Sequence, residues 1–196
     1  MTIELLPAAA RAAVPWKNGG GVTREVAVHP RGSGFDTLEW RVSIAQVRSA
    51  GPFSSLPGLD RRLAVLEGTL SLVIGEAPEV RLSPATPALH FPGEVPVKAQ
   101  PLDGPVMDLN IMTRRGRFSS ALAIHRAQHP TPLASDAATV VVVALTDLVL
   151  SAGKAEWQLS YLDGARIEAE ECALQIHPLA DQARFYVIQL HGTRAV

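Results

Sequence analysis

Four side chains able to grip an anion or orient a polar group fall on strand-like runs of this sequence, and two more lie in a glycine-rich turn. Arg24 sits in Val22-Thr23-Arg24-Glu25-Val26-Ala27-Val28, where period-two alternation places Val22, Arg24, Val26 and Val28 on one face. In Trp40-Arg41-Val42-Ser43-Ile44-Ala45 the same alternation separates Trp40, Val42 and Ile44 from Arg41, Ser43 and Ala45, so one side packs and the other can line a polar interior. Asn110 follows in Met107-Asp108-Leu109-Asn110-Ile111-Met112, with Asp108 and Asn110 opposite Leu109 and Ile111. Asparagine runs against strand propensity and calls for a reason. A guanidinium fork matches a carboxylate, yet a buried arginine is costly unless paired. Two readings stand side by side. Arg24 and Arg41 either pair internally with Glu25, Asp60, Glu67 or Asp108 and serve only to fix the fold, or leave donor capacity to the carboxylate of a ligand.

The turn is Pro15-Trp16-Lys17-Asn18-Gly19-Gly20-Gly21, immediately before the first of those runs. Three glycines lose much backbone entropy on ordering, so they imply either a mobile turn or a backbone that must reverse tightly or approach something closely. Their amides can form a small anion-binding concavity, with Lys17 and Asn18 beside it. Phosphate motifs do not fit: a Walker loop carries its lysine after the glycines, and a dinucleotide fingerprint needs glycine where Arg24 stands.

Other catalytic constellations are weaker. Of the six histidines, only His125 and His129 are closely spaced, and the adjacent Pro130 and missing glutamate argue against a zinc helix. Ser54 and Ser55 occupy no nucleophile elbow. Cys172 is the single cysteine, which excludes an intrachain disulfide and suits a reducing compartment.

These groups must be held by short strands. Fifteen glycines and fifteen prolines punctuate runs rich in valine, leucine and isoleucine, the pattern of an all-β sandwich or barrel. Arg61 to Leu66, Glu67-Gly68 and Leu70 to Gly75 read as a hairpin. Further strands are expected at Leu89-His90-Phe91, Thr139 to Leu145, Trp157 to Leu162, Cys172 to His177 and Phe185 to Leu190. A turn is expected at Leu162-Asp163-Gly164, and the alanines from Ala8 suit one helical turn. With 196 residues, 47% hydrophobic, the chain can bury a sizeable core. The net charge of -1 with scattered signs gives no basic stripe for nucleic acid or anionic lipid. Neither a secretory signal nor an apolar run of membrane-spanning length is evident, and a cytoplasmic location is expected.

The run Leu63-Ala64-Val65-Leu66-Glu67-Gly68-Thr69-Leu70-Ser71-Leu72 looks like the strand-turn-strand of cupins. Metal-binding cupins carry a histidine pair and a glutamate ahead of it and a histidine after a Pro-Gly turn. Here no histidine lies between Trp40 and Leu89, Arg61 stands near the expected glutamate, and Pro96 follows Pro92-Gly93 in place of the last histidine. No metal or other cofactor is therefore expected. Five blocks in order resemble the HutD/Ves family: Pro15 to Glu25, Trp40 to Ala45, Gly51-Pro52-Phe53-Ser54, Pro57-Gly58-Leu59-Asp60-Arg61 and Asp108 to Gly116. The resemblance covers the first 116 residues well. It implies an all-β bicupin, with 1–118 as the first barrel and 119–196 as a second, smaller half, a bacterial cytoplasmic setting, and an association with histidine utilisation in a regulatory or sensing role. It names no established reaction. The resulting expectation is a metal-free protein binding a small organic acid, for instance urocanate or formiminoglutamate, through Lys17, Asn18, Arg24, Arg41, Ser43 and Asn110, and pairing with itself as a homodimer. The alternative is a metal-free isomerase or epimerase, whose general base no motif supplies.

Overall fold

The structure is a computed structural model that describes residues 1–168 and 174–193, so Cys172 lies outside the described residues. In chain order the strands are β1 (Thr2–Leu6), β2 (Ala13–Pro15), β3 (Gly21–His29), β4 (Trp40–Val47), β5 (Gly51–Pro52), β6 (Leu59–Ile74), β7 (Val80–Leu82), β8 (Leu89–Pro92) and β9 (Val97–Arg114). They continue as β10 (Phe118–Ala127), β11 (Thr131–Leu133), β12 (Thr139–Ala144), β13 (Leu148–Ala152), β14 (Ala155–Leu159), β15 (Gly164–Glu168), β16 (Leu174–Pro178) and β17 (Ala183–Gly192). A single 3-10 turn, Ala8–Ala10, is the only helix among the described residues. The expectation of an all-β protein holds.

The chain forms two compact units, residues 11–118 and residues 1–10 with 119–196. Residues 1–10 go with the second unit, because β1 pairs antiparallel with β15 from Thr2↔Glu168 to Leu6↔Gly164. In that second unit, sheets ordered β1-β15-β12-β17-β10 and β11-β16-β13-β14 carry an apolar core including Val140, Val142, Leu148, Leu150, Ile176 and Phe185.

The 11–118 unit carries the expected polar groups. Its main sheet has the order β2-β3-β4-β9-β6-β7, with β5 pairing β9 and β8 pairing β6. The hairpin expected at Glu67-Gly68 is absent: β6 runs unbroken from Leu59 to Ile74, and both halves pair with β9. Register shifts between Val65 and Glu67 and between Glu67 and Thr69 mark a bulge there, with Gly68 at φ 81°. A bulge takes an extra residue into one strand and bends it without reversing the chain, so the same Glu-Gly that can turn a hairpin here inflects a continuous strand.

Candidate functional site

Cross-strand register sets the site, because residues directly opposite one another on neighbouring antiparallel strands share a face. One row across β3, β4, β9, β6 and β8 reads Val28, Arg41, Met112, Arg61, Phe91. The next reads Glu25, Ser43, Asn110, Leu63, Leu89, and the third reads Thr23, Ala45, Asp108, Val65. Leu63, Val65, Val47, Phe91 and Val106 belong to the apolar core of this unit, with Phe53 and Trp16 packed against it. Seven polar or charged residues therefore share a face whose apolar members are core: Thr23, Glu25, Arg41, Ser43, Arg61, Asp108 and Asn110.

Of the residues expected from sequence, Arg41, Ser43 and Asn110 are brought together. Ser43 and Asn110 are directly opposite and only 2% and 6% exposed. Arg41 is engaged already: its Nε donates to Glu25 Oε2 at 2.8 Å, and its guanidinium lies over the Phe35 ring at 5.3 Å. The internal-pairing reading thus holds for that nitrogen.

Arg24 departs from expectation. It is exposed and pairs in register with Ile44, on the opposite face from Ser43. The cause is a bulge in β3 between Glu25 and Ala27, which breaks the alternation that had grouped Arg24 with Val26 and Val28.

Lys17 and Asn18 lie exposed in the turn. That turn uses its own donors. The Gly19 amide donates to the Trp16 carbonyl at 3.0 Å, the Gly20 amide donates to Asn18 Oδ1 at 3.0 Å, and the Gly20 carbonyl accepts from the Arg48 amide at 2.8 Å. Two of the three glycine amides are consequently spoken for, and an anion cradle built on them is not formed. What the turn does is fix Trp16. Its Nε1 donates to Thr23 Oγ1 at 2.7 Å, and its ring meets Phe53 edge-on, with centroids 6.2 Å apart.

Phe53 leads to a side chain that sequence reasoning had not placed in the site. The Arg61 guanidinium stands 4.9 Å from the Phe53 ring centroid and 5.2 Å from that of Phe91, and the residue is 5% exposed. Burial pulls its pKa down to about 10, opposed by the charge of Asp108. Asp108 is 1% exposed, and burial pushes its carboxyl up to about 7, with Arg61 acting in the other direction. The two feel each other without a salt bridge, and three atoms of this face are buried with no partner: Arg61 Nε, Asp108 Oδ1 and Asn110 Oδ1. Unmet buried polar groups are uncommon, since each costs about 1–3 kcal/mol. The signal for Arg61 was present in Leu59-Asp60-Arg61-Arg62-Leu63-Ala64-Val65, where alternation puts it in line with Leu59, Leu63 and Val65, all buried.

Among the described residues no group of three or more His, Cys, Asp or Glu side chains is placed to hold a metal ion. The face instead offers a donor fork, a carboxyl poised near neutrality and an amide, flanked by two aromatic rings. That set can bind an anion and can exchange a proton with it.

Comparison with known proteins agrees with this architecture. The HutD family matches residues 8–185. An uncharacterised 21.2 kDa protein in the hutC 3′ region of Pseudomonas putida is 32% identical over 191 residues, covering 96% of this chain and 97% of that protein. Protein Ves of Cronobacter sakazakii is 38% identical over 111 residues, 56% of this chain and 59% of that protein. The structure of HutD from Pseudomonas fluorescens SBW25, obtained in a formate condition, superposes with a TM-score of 0.83 at 25% identity and covers 98% of this chain and 100% of that one. Oxalate decarboxylase from Bacillus subtilis at 8% identity and a bacterial pirin from Escherichia coli in complex with nickel(II) at 11%, with TM-scores of 0.69 and 0.68, share the cupin-like fold. With a match through most of its length and a relative covered almost end to end, the chain belongs to the HutD family.

Proposed function

We propose that the protein is a bicupin whose 11–118 unit binds a small organic acid, and that it serves a sensing or regulatory role in histidine utilisation. The ligand is an intermediate of the urocanate or formiminoglutamate kind. The observation that carries this reading is Arg61, a buried arginine with an unmet Nε held between two aromatic rings inside an apolar core. A carboxylate is the partner such a fork is shaped for. The histidine connection has a separate support: a relative named for the hutC region and a solved structure named HutD.

Calorimetric titration with urocanate, formiminoglutamate, formate and an unrelated dicarboxylate tests the proposal. At least one of the pathway acids binds, and Arg61→Met weakens it by roughly 2–5 kcal/mol, the range for truncating one partner of a buried charge pair. Arg117→Ala, which alters an exposed ion pair with Glu39, leaves binding within about twofold, as expected of a surface pair. No heat with any acid at millimolar concentration removes the reading.

Asp108 favours a second reading, an isomerase or epimerase. A carboxyl poised near 7 is suited to general-base work. Solvent deuterium appearing at carbon in a bound acid, lost in Asp108→Asn, identifies the enzyme; binding without exchange identifies the sensor.

A further inference from the structure

The unmet atoms of the site do not all ask for the same thing. Arg61 Nε is a donor, whereas Asp108 Oδ1 and Asn110 Oδ1 are acceptors. A bare carboxylate would meet the first and leave the other two empty. It would also bring a second negative charge onto a buried face whose one uncommitted cation is Arg61, because Arg41 Nε is already held by Glu25. Like charges in one low-dielectric site disfavour each other. The remaining groups on the face, Thr23 and Ser43, are neutral and do not change that balance.

Register places the donor on one row and the acceptors on the two rows that follow. Arg61 lies in the row of Met112, and Asp108 in the row of Val65, with the Ser43-Asn110-Leu63 row between them. The donor and the acceptors are therefore offset along the strand direction, and one small molecule can carry a group for each. The Phe53 and Phe91 rings flank the arginine end and suit a flat or apolar middle.

We propose that this site selects acids that also carry an N–H donor, with Arg61 taking the carboxylate and Asn110 and Asp108, on the next two rows, taking the N–H group. The inference rests on the reading above that this unit binds an acid, and adds that the acid must be bifunctional: an imidazole, amidine or amine at one end, a carboxylate at the other. Asp108 is the residue that sets this specificity. With a cationic amine or amidine at that end, Asp108 faces the cation, Arg61 faces the carboxylate, and the four charges cancel.

Matched pairs of acids make the test. Urocanate and cinnamate share the acrylate carboxylate and differ in imidazole against phenyl; formiminoglutamate and glutarate share the five-carbon diacid and differ in the whole formiminoamino group. Titration of the full-length protein at pH 8 should show at least a tenfold preference for the nitrogen-bearing member of one pair. Asp108→Asn, checked for fold by circular dichroism, should shrink that preference to within about threefold by weakening the nitrogen-bearing acid while leaving its partner unchanged or tighter. Equal binding within both pairs overturns the inference and leaves acid binding standing, and it does so in the unmutated protein. A preference that survives Asp108→Asn overturns the assignment of Asp108. Silence from all four acids overturns the inference together with the reading beneath it.

Discussion

Asp108 gives the 11–118 unit a pH dependence whose sign can be worked out. Its carboxyl sits at about 7 in the folded chain against roughly 3.9 in an unfolded one. Between those values the folded state holds a proton that the unfolded state has released, so stability is greatest below pH 4 as far as this group is concerned and declines as pH rises to 7. Asp108→Asn keeps the shape and removes the charge. It should therefore raise stability by about 3–4 kcal/mol at pH 8 and by only about 1–2 kcal/mol at pH 5, read by urea denaturation at the two values. Equal effects at both pH values would show that the carboxyl is not perturbed. How much of this was legible depended on one residue at a time. The alternation of Asp108-Leu109-Asn110-Ile111 placed both polar groups correctly on one face. Arg24 was misplaced because one inserted residue in β3 exchanges the two faces, and no pattern in Arg24-Glu25-Val26-Ala27 marks where a bulge falls. Arg61 was visible by alternation, but its significance lies in what it lacks, and an unmet nitrogen can be recognised only once its neighbours are in place.

The turn ahead of β3 shows how one glycine differs from the next. A Cβ at Gly21 would lie 2.4 Å from the Gln46 carbonyl oxygen and 3.2 Å from the Trp16 ring, so alanine there must displace backbone or indole. Because Trp16 packs on Phe53 and Phe53 covers Arg61, Gly21→Ala should cost roughly 1–3 kcal/mol of stability and weaken acid binding as well. Gly19 has open space around it but a φ of 71°. Gly19→Ala should cost about 1–2 kcal/mol through backbone strain and leave binding intact. Thermal melts and titrations of the pair separate the two roles, and identical behaviour would refute the chain from turn to arginine. Strand existence was readable from the glycine and proline punctuation, and β12 and β17 fall close to where valine-rich and aromatic runs put them. Strand continuity was not. Glu67-Gly68 satisfies the local chemistry of a hairpin turn and of a bulge equally, and only the long pairing of β6 with β9 decides between them.

At the scale of the whole molecule, β1 is the element that sequence order misassigned, since Thr2 to Leu6 carry no mark of a partner more than 150 residues away. Ile3 packs against the core of the second unit. Deleting residues 2–6 should lower the melting temperature of that unit by roughly 5–15 °C and leave acid binding by the 11–118 unit unchanged. Loss of binding in the truncated protein would contradict the division of labour. Self-association is a separate expectation: strands such as β10, at the end of their sheet order, leave edges that a second copy can cover. Light scattering should report a dimer, and a monomer across a concentration series would reject it. The β1–β15 pairing also bears on how the protein is made. On a ribosome extending by about 5–20 residues per second, residues 11–118 emerge entire and can complete their sheet early. Thr2 to Leu6, made before them, must then wait roughly 8–30 seconds for Gly164–Glu168 to appear. Until then the nascent chain carries Thr2–Leu6 unpaired, and the second unit cannot complete its sheet before Ala183–Gly192 has been made.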